Sequence, residues 1–424
     1  MVDFTKLPFH MPGHKRNTKM LGDDLPYGID ITEITGADDL HNMQGALKTL
    51  AERAAALYGA ERAFPMVNGS TGGILAAVRT VAKLRPNCRS LVMTREAHKS
   101  IYNAAELCRL KPVHLESTVV QEVTAALAAT DDACAVLITS PTYLGDVADI
   151  ELIAGLCRAA RVPLIVDAAH GAHFGFSQGF PQNATRLGAD IEILSLHKTL
   201  PALTQSSLIL ATQEFAGELE RQLRVFETSS PSYVLLESIK LCVDLLNNCG
   251  ATLFAEYEER LRLFYERTGL AARDDIGKIV LPCENGPELM SRLREEFDIE
   301  LEMCGADYAL AMTSIADEVV ALQRLADAVT AIGIVNQPIK SVRYHIPKSV
   351  CAPFEAADGE EFCDYRRALG STAREYVWAY PPGVPLLVPG EIVDADVIAA
   401  IEALYASEIE PRSDFSMLPE IAIF

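Results

Sequence analysis

The chain is short of basic residues. Against 58 Asp and Glu it carries only 37 Lys and Arg, a formal net charge of −21. That deficit excludes nucleic-acid binding through a broad basic surface. A negative field attracts cations, so a cationic small molecule is compatible with it, although solubility alone is the better explanation of the charge taken by itself. No apolar run is long enough to cross a bilayer, and Met1-Val2-Asp3-Phe4-Thr5-Lys6 lacks the basic-then-apolar layout of a signal peptide. The ten cysteines are scattered. None forms a C-x-x-C pair or a cluster with histidine, which argues against a metal site or a disulfide framework and predicts reduced thiols in a cytoplasmic protein. There is no internal repeat and no low-complexity linker.

With 424 residues, of which 49% are hydrophobic and 22% charged, the chain is able to bury a full core in two domains. The first thirty residues, with Pro8-Phe9-His10-Met11-Pro12-Gly13-His14, have little periodicity and predict an irregular arm over 1–35. Helices and short apolar strands then alternate. Helical patterns cover 47–58, a stretch opening at Ser70-Thr71-Gly72-Gly73 and ending at 84, 100–110 and 150–160. Strand patterns cover 90–94, 133–139, 162–167, 191–195 and 207–211. Such alternation predicts an α/β fold, a mostly parallel sheet with helices on both faces, over 36–250. A long helical region at 233–268 follows. Less regular alternation then predicts a smaller α+β C-terminal domain over 251–424. Tyr380-Pro381-Pro382-Gly383-Val384-Pro385 is too rich in proline for a helix or a central strand.

Two segments carry the chemistry. The run Leu164-Ile165-Val166-Asp167 ends on a carboxylate, and Ser195-Leu196-His197-Lys198-Thr199 follows the next apolar stretch. In a parallel sheet both fall at strand ends, where ligands bind. An Asp and a Lys so placed suit pyridoxal 5'-phosphate: the amine forms a Schiff base with the cofactor aldehyde, and the carboxylate keeps the pyridine nitrogen protonated. Taken singly, Lys198 reads as a solvated loop residue and Asp167 as a helix cap or metal ligand; the pair favours the cofactor. Ser70 and Thr71 at a helix start suit a phosphate, with plain N-capping as the alternative. Ser195 and His197 flank the lysine as further phosphate contacts. His98, at a strand end, is either placed to stack on a ring or, as lone histidines more often are, a satisfied surface or core residue; His170 is placed to reach cofactor or substrate. The acidic strip Asp30 to Asp39, with Glu33, is either a cation-binding surface or a solvated loop.

Together these segments resemble the Orn/Lys/Arg decarboxylases, pyridoxal phosphate enzymes of the aspartate aminotransferase type (fold type I). The resemblance rests on Phe9-His10-Met11-Pro12-Gly13-His14-Lys15, Asp30-Ile31-Thr32-Glu33, Asp39-Leu40-His41, Val67-Asn68-Gly69-Ser70-Thr71 and Ala97-His98-Lys99-Ser100. It continues through Val166-Asp167-Ala168-Ala169-His170-Gly171-Ala172-His173, Ser195-Leu196-His197-Lys198, Thr228-Ser229-Ser230-Pro231-Ser232-Tyr233, Tyr380-Pro381-Pro382-Gly383 and Pro389-Gly390-Glu391. It implies Lys198 as the Schiff-base lysine, Asp167 on the pyridine nitrogen, His98 on the ring, and Ser70, Thr71, Ser195 and His197 at the phosphate. It further implies Thr228 and Ser229 reaching the phosphate of a partner subunit in a homodimer or higher homo-oligomer with shared active sites, and Glu391 facing the distal cation of the substrate. The implied reaction converts lysine, arginine or ornithine to the corresponding polyamine-pathway amine.

Two features depart from the family pattern. The chain begins at the His-Met-Pro-Gly-His arm where the large acid-stress members carry an N-terminal wing, so a short form without wing-mediated decamers is expected. Asn42-Met43-Gln44-Gly45 stands where a Pro-Glu-Gly-like turn is expected, which puts the arm-to-core junction in question. Alternative readings are another reaction of the same fold, an aminotransferase or aldolase, and a catalytically silent homologue. No arginine is assignable to the carboxylate clamp common in aminotransferases.

Overall fold

A computed structural model describes residues 2, 4–339, 345–356, 361–379 and 383–424. Its centre is a seven-stranded sheet of β1 (Arg62–Met66), β2 (Ser90–Thr94), β3 (Lys111–Leu115), β4 (Ala133–Thr139), β5 (Leu164–Asp167), β6 (Ile191–Ser195) and β7 (Ser207–Ala211). The order is β1-β7-β6-β5-β4-β2-β3. The strands from β3 to β6 pair in parallel, while β7 runs antiparallel to both β6 and β1. Side chains alternate strictly between two buried layers. Val136, Ile138, Leu164, Val166 and Leu194 face one; Ala135, Leu137, Ile165, Ile191 and Ile193 face the other. This is why the strands read as continuous apolar runs: helices cover both faces, so neither parity of residue meets water.

Where helices and strands end decides what reaches the site. The helix expected over 100–110 is Lys99–Leu107, because Cys108 caps it and Arg109 turns to a positive φ of 55°. The strand expected from 162 starts at Leu164; Val162 instead donates its N–H to Cys157 O at 2.9 Å and closes the preceding helix. Helix Tyr233–Thr268 runs unbroken for 36 residues, from the Ser232 cap to Gly269 in the left-handed region. The division expected at 250 therefore falls inside one helix. β8 (Lys278–Pro282), β9 (Met303–Cys304) and β10 (Tyr308–Met312) form a small antiparallel sheet, lined by helices Gly286–Phe297 and Val319–Ile332. Further short strand pairs follow. Pro385 opens an edge strand, where a missing N–H costs no ladder bond; Tyr380, Pro381 and Pro382 lie outside the described residues.

Among its described residues the arm over 1–35 holds one helical turn, Thr18–Leu21. Its junction with the core is organised by one carboxylate. Asp38 accepts the N–H groups of Gln44, Gly45 and Leu47 at 2.8–3.0 Å. The Asn42–Gly45 departure is thus a turn tied to Asp38, which also serves the start of helix Ala46–Tyr58. No described helix is long and apolar enough to cross a membrane.

Candidate active site

A cavity of about 550 Å³ opens at the carboxyl ends of β4 and β5 and is lined by Ser70, Thr71, His98, Asp167, His170, His197 and Lys198, among others. The sheet places them. In-register pairing sets Thr139 beside Asp167 and Asp167 beside Ile193, and the four-residue helix Leu196–Thr199 then carries His197 and Lys198 over the end of β6. Helix Gly69–Leu84 points its N-terminus at the same space. Its first-turn N–H groups have no partner within the helix, and with two hydroxyls and the helix dipole they suit an anion.

Electrostatics follow from burial. Asp167 is 3% exposed. Burial raises its pKa, opposed by Lys198 and by the Ala169 N–H that its Oδ1 accepts at 3.2 Å. Burial lowers the Lys198 amine, opposed by Asp167 and Glu302. Lys198 Nζ lies 3.0 Å from His170 Nε2. His98 stands exposed along the cavity with protein packed densely behind it; burial, Lys198 and Lys99 push its imidazole down to about 4. Its Nδ1 accepts the Ser100 N–H at 3.2 Å and so caps the following helix. That cap requires a lone pair on Nδ1, which holds the ring neutral with its proton on Nε2. His197 Nδ1 lies 3.0 Å from Ser206 O, and burial lowers that ring as well.

Some expected residues lie elsewhere. Ser195 is fully enclosed at the end of β6 and does not line the cavity; its Oγ has no partner among the described residues. Thr228 is half-buried and Ser229 exposed; neither lines the cavity, and the Thr228 carbonyl meets His41 Nε2 at 2.9 Å. Glu33 is exposed and bonds Thr32. Glu391 is 1% exposed and bidentate to Arg95, Oε1 to Nη1 at 2.6 Å and Oε2 to Nη2 at 3.0 Å. It therefore faces a buried arginine rather than the cavity. The family motif marks its position but not the direction its side chain takes.

The cavity also holds residues that sequence reasoning missed. Glu96 and Glu302 line the wall, and Tyr143 donates to Glu302 Oε1 at 3.1 Å. Burial and Asp146 raise Glu96 to about 7. Lys278 Nζ approaches His170 Nδ1 at 2.7 Å from behind. Glu96 sits two residues before His98 and was within reach of the motif. Lys278, Glu302 and Tyr143 come from segments with no motif at all.

The donor set fits pyridoxal phosphate. It has an anion site at a helix N-terminus, an amine at the cavity floor, a buried carboxylate for a ring nitrogen and a neutral imidazole for a ring face. The comparisons agree. The Orn/Lys/Arg decarboxylase major domain matches residues 1–267. The arginine decarboxylase of Halalkalibacterium halodurans is 30% identical over 441 residues, covering 93% of this chain and 89% of that one. That of Bacillus subtilis is 29% identical over 444 residues, with coverage of 93% and 89%. Among solved structures, the constitutive lysine decarboxylase of E. coli has TM-score 0.77 at 18% identity, covering 99% of this chain and 80% of that one. Sphingomonas wittichii serine palmitoyltransferase has TM-score 0.56 at 14% identity, with coverage of 68% and 75%. The structural likenesses establish the fold, that of fold type I pyridoxal phosphate enzymes. With the domain match across more than half its length and the relatives across nearly all of it, this chain belongs to the Orn/Lys/Arg decarboxylase family.

Proposed function

We propose that the protein decarboxylates a basic amino acid, with arginine as the preferred substrate. The observation that carries the reading is the meeting of Lys198, Asp167 and the Gly69 helix N-terminus in one cavity whose wall bears two carboxylates, Glu96 and Glu302. The naming of relatives as arginine decarboxylases supports the choice of arginine. Pyridoxal phosphate, when bound, supplies an electron sink for the bond to the departing carboxylate. Lys198 contributes an amine that burial disposes toward the free base, the form that captures an aldehyde. Asp167 holds negative charge where a ring nitrogen is to stay protonated. Ser70 and Thr71 bind phosphate, and His98 packs its neutral ring against the cofactor. His170 is the candidate to deliver a proton to the α-carbon. Glu96 and Glu302 draw the distal cation.

Incubation with arginine, lysine and ornithine tests this, with CO₂ and the amine product as readouts. Arginine is expected to give the highest kcat/KM. A keto acid without CO₂ would favour an aminotransferase and sink the proposal.

The raised pKa of Glu96 adds a pH signature. Below about 7 its carboxyl is protonated and neutral; above, it is an anion facing a substrate whose distal charge stays constant. KM for arginine should therefore fall as pH rises through about 7. In Glu96→Gln that fall should vanish, with KM set at the higher, low-pH value. A KM unmoved by pH in the parent would remove Glu96 from substrate binding.

We further propose a homo-oligomer with shared sites. The arm exposes Leu7 (80%), Phe9 (93%) and Met11 (65%), an apolar face that a second copy would cover, and Thr228 and Ser229 stand off this chain's own cavity. Sedimentation velocity showing a monomer at assay concentration would overturn this. The ten free thiols support a reducing, cytoplasmic setting, which fractionation would test.

A further inference from the structure

Lys278, Nζ 2.7 Å from His170 Nδ1, is the first of three nitrogen-bearing groups in a row; His170 Nε2 then lies 3.0 Å from Lys198 Nζ. His170 is 6% exposed, and burial, reinforced by Lys278 and Lys198, holds its imidazole well below its usual pKa, hence neutral. A neutral imidazole offers one lone pair and one N–H. The lone pair suits an ammonium. The N–H needs an acceptor, and a lysine accepts only as the free amine. The row therefore accommodates one ammonium; with two, an N–H would confront an N–H.

Resting on the reading of Lys198 as the cofactor lysine, we propose that Lys278 is the ammonium, donating to His170 Nδ1. Nε2 then carries the imidazole proton and presents it to a neutral Lys198 and to the cavity. Lys278 is thus a positioning residue: it does not line the cavity and acts through His170.

Three observations place the charge on Lys278. Its contact is the shorter of the two, as expected where the donor is ionised. Behind it lies Asp275, fully buried, whose Oδ1 accepts Gly277 N–H and meets His173 Nε2 at 3.0 Å while Oδ2 has no partner among the described residues; such a carboxylate calls for a nearby cation. And the fold clamps this lysine. Gly145, at φ +92°, closes a loop over it so tightly that a Cβ there would stand 2.9 Å from Lys278 Cβ. From the same loop Tyr143 packs its ring 4.3 Å from His170 and 5.6 Å from Lys278 Nζ.

The other charged and titratable neighbours do not provide the missing proton acceptor. Asp167 and Glu302 act on Lys198, Asp275 and Glu302 on Lys278, and His98 and His173 on His170. Among the described residues no carboxylate comes within ion-pair distance of either Nζ. Burial lowers the Lys278 amine to about 8, with Lys198 adding to that and Asp275 and Glu302 opposing.

The direct test is ¹⁵N NMR of the histidine-labelled full-length protein, with His170→Gln for assignment. The expected tautomer has Nε2 protonated and Nδ1 bare; a protonated Nδ1 would overturn the proposal. The second test is acetic anhydride labelling of the cofactor-stripped full chain across pH, with Lys198 followed by peptide mass spectrometry. Removing a like charge should raise the half-labelling pH of Lys198 in Lys278→Met by about one unit or more, some tenfold less labelling at a fixed pH. Lys278→Arg should restore the parent profile. An unchanged Lys198 profile in folded Lys278→Met refutes the role; if that variant does not fold, the tautomer in the parent decides. Visible cofactor absorbance persisting in Lys198→Ala would instead overturn the cofactor reading. Absorbance lost there together with the wrong tautomer overturns only the role of Lys278.

Discussion

Lys198→Ala is expected to yield a folded, colourless protein whose decarboxylation is at least ~10⁴-fold slower than the parent's, the scale on which a covalent anchor and a positioned acid–base group act together. Folding should survive because, among the described residues, the amine makes a single hydrogen bond, with His170 Nε2. The packing of this turn falls to Leu196 and Thr199, both buried. A stability equal to or above the parent's, with activity gone, is the signature of a residue kept for chemistry. Thermal unfolding and visible absorbance on one sample separate the two effects. A variant that retained colour and more than a hundredth of the activity would remove Lys198 from its assigned place.

The second large effect is structural. Glu391→Ala is expected to cost about 3–5 kcal/mol, the range for breaking a buried ion pair from one side. The loss strands Arg95, 1% exposed. It also strands the Val388 N–H, which Glu391 Oε2 accepts at 2.9 Å. Arg95 further donates to Leu386 O at 3.0 Å and its own carbonyl accepts the Tyr102 hydroxyl. The pair thus fastens the segment after Val384, a wall of the cavity, to the end of β2 just before Glu96 and His98. Replacing both partners, Arg95→Leu with Glu391→Leu, should recover much of the loss, since apolar pairs of similar volume substitute well for buried ions. Denaturant midpoints measure this. If Glu391 instead met the distal cation, Glu391→Gln would raise KM for arginine selectively and leave stability nearly intact.

Much of the site was legible in the sequence because its parts hang on strand ends. An apolar run that stops on a carboxylate, followed by a second run that stops before a lysine, admits few geometries in a parallel sheet, and Asp167 and Lys198 meet accordingly. Ser70 and Thr71 were legible for a similar reason: a helix start has a direction. The directions of Glu391 and Ser195 were not legible, because motif position fixes the backbone and not the side chain. Glu391 turns to Arg95, nearly three hundred positions away in sequence, and Ser195 turns into the enclosed end of β6.

From residue order alone came the alternating α/β layout, the meeting of Asp167 and Lys198 at strand ends, and the family. Local hydrogen bonding and the burial of apolar runs act over a few residues and leave a periodic trace. The tertiary structure alone decided the partners of Glu391, the two carboxylates of the cavity wall and the Lys278–His170–Lys198 row. Each depends on groups far apart in the chain, and pairing between distant side chains leaves no periodicity to read. The proton balance along the row is set by burial and neighbouring charge, which exist only once the chain has closed around them.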